Sequence, residues 1–452
     1  MRRLSAATLG PAALPSYDRN AKAIGILHFG LGAFTRAHQA WYTDRAMETA
    51  GGDWMIAGVS LRSTSVGAQL NPQNGLYTLA EQASEGMSLR IIGSIAQVIL
   101  APEEPDRIAA LLAAPTTHVV TFTITEKGYC RDSQGGLDRA IADDSSIYRY
   151  LGQGLALRRE AGATGLTLLS CDNLADNGRQ LERLLLAYLN ARDPALAAWT
   201  QAHCTFPNSM VDRIVPATTQ EGRQSVENEL GLRDEGAVLT EPFSQWVIED
   251  RFAGPRPAWE QVGVQIVADV TPFETAKLRM LNGAHSALAY CGLQAGHTFV
   301  HEAMGDPALR VLVEQLMRQE AAPTIEAAAG QDLDAYADAL VQRFDNPTLN
   351  HRLMQIAMDG SQKIPQRWLA TLEAAGQQGR PCPALLTALA AWLRHVQGEA
   401  RLVEDPRAPE LADAWRTHGR EGIARAMFGE NGLMGSVWQP SDAALESLTA
   451  RL

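Results

Sequence analysis

Lysine is nearly absent from this chain. Only Lys22, Lys127, Lys277 and Lys363 stand among the 39 Lys and Arg of its 452 residues. The remaining basic charge is arginine, which stays protonated near neutral pH. A reaction that needs an amine as proton acceptor therefore has few places to happen. Positive charge is short overall, since 51 Asp and Glu leave a formal net charge of −12. That balance disfavours nonspecific nucleic-acid binding, which rests on clustered Lys and Arg. Cysteine is sparse too. Cys130, Cys171, Cys204, Cys291 and Cys382 are scattered, odd in number and without a C-x-x-C pair. This argues against a disulfide framework or a structural zinc site and points to reduced thiols in a cytoplasmic protein. No run of about 18 apolar residues occurs, so no membrane span is expected. The Met1-Arg2-Arg3 start resembles that of a signal peptide, but Gly10, Pro11, Pro15 and Asp18 break the apolar stretch such a signal needs.

What is present suits a well-packed globular chain, with 46% hydrophobic and 20% charged residues. In the first half, strand-like runs at 23–29, 54–61, 118–125 and 166–170 and a β-rich stretch at 89–99 alternate with helical patterns at 37–49, 104–112 and 178–189. Such alternation predicts an α/β fold, a mostly parallel sheet with helices on both faces. A last strand is expected at 264–268. Thr271-Pro272-Phe273-Glu274 then reads as a capping box with proline in its tolerated place. From there helical patterns follow one another, at about 274–292, 306–319, 332–343, 349–359, 363–375, 382–397, 408–416 and 419–428. The expected division is a Rossmann-type dinucleotide-binding domain over 1–270 and an all-helical substrate-binding and catalytic domain over 271–452.

The first strand runs into Phe29-Gly30-Leu31-Gly32-Ala33-Phe34 and then into a helix. A dinucleotide cradle needs that context: one glycine for the tight turn, a second for backbone approach to the pyrophosphate, and a helix N-terminus supplying N–H donors. Thr35 stands where a third glycine would be. An ordinary strand-to-helix turn fits the same pattern. Asp53 lies at the wrong end of the second strand to meet an adenosine ribose, and no acid follows its carboxyl end. Arg62 is there instead, a candidate for a 2′-phosphate, so NAD and NADP both stay open.

Lys277, Asn282 and His285 share the helix opened by the capping box. On an ideal α-helix they fall at about 0°, 140° and 80°, within one arc. Lys277, among apolar neighbours, is a candidate general base with a lowered pKa. Asn282 is a candidate donor to a developing alkoxide. A purely structural polar cluster is the alternative. Asn173, and Glu126 with Lys127, follow strand ends, where ligands bind in open α/β sheets; on the residues alone, turn chemistry is the favoured alternative.

Six ordered segments give a broader resemblance: HFGLGAFTRAHQAWYTDR (28–45), TITEKGY (123–129), SCDNLADNG (170–178), FPNSMVDRIVP (206–216), KLRMLNGAHS (277–286) and QIAMDGSQKIPQR (355–367). Together they resemble the mannitol dehydrogenase family, the polyol-specific long-chain dehydrogenases. The resemblance implies hydride transfer between NAD(P) and a sugar alcohol or ketose, without zinc or any other metal. It implies Lys277 as the catalytic base, Asn173 and Asn282 as alkoxide-stabilising donors, His285 as an active-site histidine, and Gly30, Gly32 and Phe34 in the cofactor motif. Gln355 stands where mannitol 2-dehydrogenases carry an arginine, and Thr35 where many members carry histidine. With SLRS (60–63) and MVDRIVP, the Gln355 form looks more like fructuronate reductases (D-mannonate oxidoreductases). A keto-uronate or aldonate substrate needs a cation for its carboxylate, and Arg213, Arg352 and Arg367 are the candidates. The alternatives are mannitol or other polyol oxidation, a polyol-phosphate substrate, and a non-catalytic NAD(H)-binding regulator. The expected partner is a small sugar acid or polyol, with no nucleic acid or membrane. Oligomeric state is not legible.

Overall fold

A computed structural model describes residues 1–10, 14–142 and 146–452; Pro11, one of the breaks in the N-terminal apolar stretch, lies outside them. The described residues form two compact units, Met1–Val270 and Thr271–Leu452.

The strands of the first unit are β1 (Ile24–Phe29), β2 (Met55–Ser60), β3 (Tyr77–Ala83), β4 (Gly86–Ile92), β5 (Ile95–Leu100), β6 (Val119–Phe122), β7 (Thr167–Ser170), β8 (Ser209–Asp212), β9 (Val238–Thr240), β10 (Gln245–Glu249) and β11 (Gln265–Val267). The central sheet has the order β5-β2-β1-β6-β7, and every pairing in it is parallel. Each residue of β2 and β6 is buried, as expected of strands covered on both faces. Alternation along β1 sends Leu27 and Phe29 into one core with Leu112, Leu151 and Leu185. Ile26 turns to the other, with Ala40, Ile56, Trp246 and Trp259.

The β-rich stretch expected at 89–99 is two strands in two different sheets. β4 pairs antiparallel with β3, whereas β5 joins the parallel sheet. The chain turns between them at Gly93, whose amide donates to Asp44 Oδ1 at 2.8 Å and whose carbonyl accepts from Arg19 Nε at 2.6 Å. The helix expected at 37–49 is also two, Ala33–Ala37 and Gln39–Ala50, broken at His38 (φ −123°, ψ −87°).

The second unit is helical. Thr271–Ala276 runs into a π-helical segment, Lys277–Asn282, and on into Gly283–Ala295. This long helix packs Ala284, Ala287 and Leu288 in one core with Leu385, Leu389 and Trp392. Two further π turns follow, Leu316–Ala321 and Pro365–Leu369, the latter between Gly360–Ile364 and Ala370–Gln377. Proline lacks the N–H an α-helix would use there, and such a gap in the ladder favours a widened turn. The helices expected at 408–416 and 419–428 are Ala408–Phe428, interrupted at Gly419 (φ 58°). Among the described residues, no helix is long and apolar enough to cross a membrane. All five cysteines are buried free thiols.

Candidate active site

The glycine turn follows β1 at the centre of the parallel sheet. Gly30 has φ +90°, and a Cβ there would lie 2.1 Å from the Thr123 carbonyl oxygen, so only glycine fits. Its amide donates to Val59 O at 2.9 Å, tying the turn to β2. Gly32 is different. It is extended (φ −109°) and heads the helix Ala33–Ala37, and an added Cβ would have its nearest neighbour 3.7 Å away. One glycine therefore closes the turn, and the other leaves an open face at a helix N-terminus whose first amides have no intrahelical acceptor. A dinucleotide pyrophosphate fits this cradle. The side chains of Phe29 and Leu31 serve the core: Phe29 stacks on Phe122 at 5.6 Å, and Leu31 fills the space a side chain at Gly58 would take. Phe34 stacks on His38 at 5.0 Å.

Thr35 is fully buried. Its Oγ1 lies 2.8 Å from His28 Nε2 and 2.6 Å from Thr123 Oγ1. Thr123 donates onward to Gly30 O at 2.9 Å, and His28 Nδ1 meets Thr121 Oγ1 at 2.7 Å. Burial lowers His28 to about 3, so the ring is neutral and its nitrogens bond the threonines. The residue in place of the third glycine thus braces the turn from beneath.

Parallel register brings the other first-unit candidates to the same edge, because Phe29 pairs with Val59 and Phe122, and Phe122 with Ser170. Arg62 is exposed beyond β2, Glu126 and Lys127 are exposed in the short helix Thr125–Gly128 beyond β6, and Asn173 is exposed beyond β7. Sequence reasoning missed Asp172, which joins the last two loops. Its carboxylate accepts from Ile124 N at 3.1 Å, Thr125 N at 2.8 Å and Tyr129 Oη at 2.8 Å. That grip holds Thr125 at φ 64°, a strained value for a β-branched residue.

In the second unit, Lys277 and Asn282 open and close the first π turn, and both are half-buried. The α-helical angle of about 140° between them does not apply. A turn closed by i→i+5 bonds holds more residues, so two positions five apart come nearer to one face. The end of this turn and the residues just beyond it find partners on the π turn Pro365–Leu369: Trp368 Nε1 donates to Gly283 O at 3.0 Å, and Arg367 Nη1 donates to Asn282 O at 3.4 Å and to the Ser286 hydroxyl at 2.8 Å. His285, buried, packs on Phe344 at 4.6 Å and meets His351 edge-on at 5.2 Å. Burial first, then His351, Arg343 and Arg367, hold His285 well below its usual pKa, so it is neutral.

The three arginine candidates separate. Arg213 is spent on the protein, donating to Ala37 O (2.6 Å), Glu241 O (3.0 and 3.2 Å) and Glu81 Oε1 (2.5 Å) while covering the Trp41 ring. It is a strut of the first unit, with its side chain fully buried. Arg352 is exposed over Phe299; Gln355, one helical turn on, is exposed as well. Arg367 alone reaches the turn that carries Asn282 and His285.

A parallel sheet with a glycine turn between its β2 and β6 neighbours, followed by a helical unit, is the architecture of a Rossmann-type dinucleotide-binding protein. The chain belongs to the mannitol dehydrogenase family: the family's Rossmann domain matches residues 24–261 and its C-terminal domain residues 269–434. It is a dehydrogenase/reductase acting on CH–OH groups. D-mannonate oxidoreductase of Escherichia coli is 42% identical, covering 94% of this chain and 91% of its own length. Among solved structures, Pseudomonas fluorescens mannitol 2-dehydrogenase in ternary complex with NAD and D-mannitol is 35% identical with a TM-score of 0.81, covering 99% of this chain and 96% of its own. A substrate-free D-sorbitol dehydrogenase is 32% identical with a TM-score of 0.91, covering 100% and 97%.

Proposed function

We propose that the protein interconverts a keto-uronate and its aldonate, fructuronate and D-mannonate above others, with NAD(H) as cofactor. The observation that carries this is the π turn bounded by Lys277 and Asn282, with His285 just beyond it. The cofactor's backbone cradle is Gly30–Phe34, and Arg62, a candidate for the 2′-phosphate of NADP, leaves that cofactor as the second reading. When bound, the nicotinamide supplies or accepts the hydride. In the reductive direction Lys277 Nζ delivers a proton to the carbonyl oxygen as it becomes an alkoxide; in oxidation it takes the hydroxyl proton. Asn282 donates a side-chain N–H bond to that oxygen and stabilises its developing charge, the role the family resemblance assigns to Asn173 as well. Neutral His285 orients a substrate hydroxyl. The similarity to D-mannonate oxidoreductase supports a sugar-acid substrate, whereas the mannitol and sorbitol enzymes among the solved structures favour a neutral polyol as the second reading. Absorbance at the nicotinamide band, with fructuronate, tagaturonate and fructose and with both cofactors, separates the two. Lys277→Ala is expected to lower kcat by about a thousandfold or more while NADH binding, followed by fluorescence, survives. Near-normal turnover in that variant refutes the assignment.

A further inference from the structure

We infer that Asp172 is a positioning residue for the reaction. Its carbonyl closes the turn that carries Asn173, and its carboxylate fixes the neighbouring loop after β6 against that turn, so loss of the carboxylate slows turnover and does not merely loosen the fold. The effect on turnover rests on the alkoxide-stabilising role proposed for Asn173.

Asn173 is the central residue of a three-residue turn, in which the Leu174 amide donates to Asp172 O at 2.9 Å. The same carbonyl accepts from Asn177 Nδ2 at 3.0 Å. Asn177 is buried in the first turn of the helix Asn177–Asn190. It bonds β8 twice, donating to Ser209 O at 2.7 Å and accepting from Ser209 N at 2.9 Å. The turn over Asn173 is thereby tied, on one side, to the body of the first unit.

On the other side the tie is the Asp172 carboxylate, itself buried. Three donors converge on it: the consecutive amides of Ile124 and Thr125, and Tyr129 Oη. Tyr129 is anchored in its own right. Its hydroxyl lies 2.6 Å from Oγ of Ser170, the last residue of β7, and its carbonyl accepts from Tyr148 Oη at 3.0 Å. The gripped loop begins at Thr125, whose φ of 64° a β-branched residue does not keep unaided. Two adjacent amides held by one carboxylate offset that strain. An amide side chain in the same place offers a single acceptor oxygen and turns N–H hydrogens toward the remaining donors. Because Phe122 pairs with Ser170, the two loops leave adjacent strands at the same level, and a relaxed Thr125 displaces the chain next to Asn173.

The test is kcat with NADH and fructuronate, or fructose if the wild type prefers it, in the full-length enzyme. Asp172→Asn is expected to lower kcat about tenfold or more through misplacement, with KM for the sugar changed less than about threefold. Adding Thr125→Gly, for which the positive φ is free of strain, should recover about threefold or more of the lost kcat. In an Asn173→Ala background, Asp172→Asn should cost less than about twofold further, because both changes act at one group. Wild-type kcat with a lowered melting temperature makes Asp172 a brace of the fold alone and overturns the inference. Losses that multiply with that of Asn173→Ala, or no recovery with Thr125→Gly, overturn it as well. If Asp172→Asn does not fold, Tyr129→Phe takes its place by removing one of the three donors; kcat about threefold lower is expected, and an unchanged kcat refutes the inference. Wild-type kcat in Asn173→Ala instead refutes the role proposed for Asn173, and recovery by Thr125→Gly then decides the role of Asp172 alone. If the wild type reduces neither sugar, the function proposed above fails, and the NADH Kd is read in place of kcat, since the loop lies at the strand ends where a dinucleotide binds. Asp172→Asn should then raise that Kd about threefold or more and Thr125→Gly restore it; an unmoved Kd refutes the inference.

Discussion

The two glycines of the turn should fail in different ways when each becomes alanine. At Gly30 the added Cβ meets two obstacles. A φ of +90° is costly for an L side chain, about 1–2 kcal/mol. The Cβ also falls 2.1 Å from the Thr123 carbonyl oxygen and 2.7 Å from its carbon. These are backbone atoms of the chain leaving β6 and cannot rotate away, so β1 and β6 must part at their carboxyl ends. Together the two effects should exceed about 3 kcal/mol, which lowers the melting temperature of a unit this size by about 6 °C or more. Gly32→Ala has neither problem, with φ −109° and its nearest neighbour 3.7 Å off. Its melting temperature should stay within about 2 °C, but its methyl group occupies the face left for the pyrophosphate. Scanning fluorimetry and NADH fluorescence titration read the two effects separately. Gly32→Ala should raise the NADH Kd about tenfold or more, a loss of about 1.4 kcal/mol. Wild-type affinity in Gly32→Ala, or unchanged melting in Gly30→Ala, would refute this division of labour.

Thr35→Val removes the hydroxyl that bonds both His28 and Thr123, which also bond each other at 3.0 Å. It should destabilise the first unit by about 1–3 kcal/mol, seen as a loss of several degrees in melting; an unmoved transition would show that the network contributes nothing. Burial raises the Asp44 carboxyl from 3.8 to about 6, against the Tyr17 hydroxyl and the Gly93 amide that favour its charged form. The folded chain therefore holds this proton more tightly than the unfolded one. Stability from this group falls as pH rises from about 4 through 6, by up to about 3 kcal/mol. Urea midpoints at pH 4.5 and 7.5 should differ less in Asp44→Asn than in the wild type, and an identical difference would sink the assignment.

The parallel sheet was legible because strands buried on both faces leave continuous apolar runs, as in Val119–Phe122. The hairpin β3–β4 was not. Glu81 and Gln82 interrupt one strand, and the other is mostly exposed or half-exposed. Gly30 and Gly32 were visible as a pair, but their separate tasks depend on Thr123, a residue far along the chain that the pairing of β1 with β6 brings alongside. The brace of Thr35 was hidden for the same reason. Lys277, Asn282 and His285 could be picked out by residue type, but not their angular relation. Just past the widened turn the Trp368 indole bonds the Gly283 carbonyl across 85 residues of sequence, and no local pattern marks it. Arg213 looked available as a charge, and only the folded chain reveals that carbonyls of Ala37 and Glu241 claim it.

A π turn is an α-helix carrying one surplus residue. Straightening this segment into a regular helix with its six residues kept would restore a full ladder and raise local stability. The amine would then swing by about 100° relative to everything beyond it. The most helix-friendly form of this segment is therefore the one that disarms it, and a stabilised version of the chain should leave the widened turn in place.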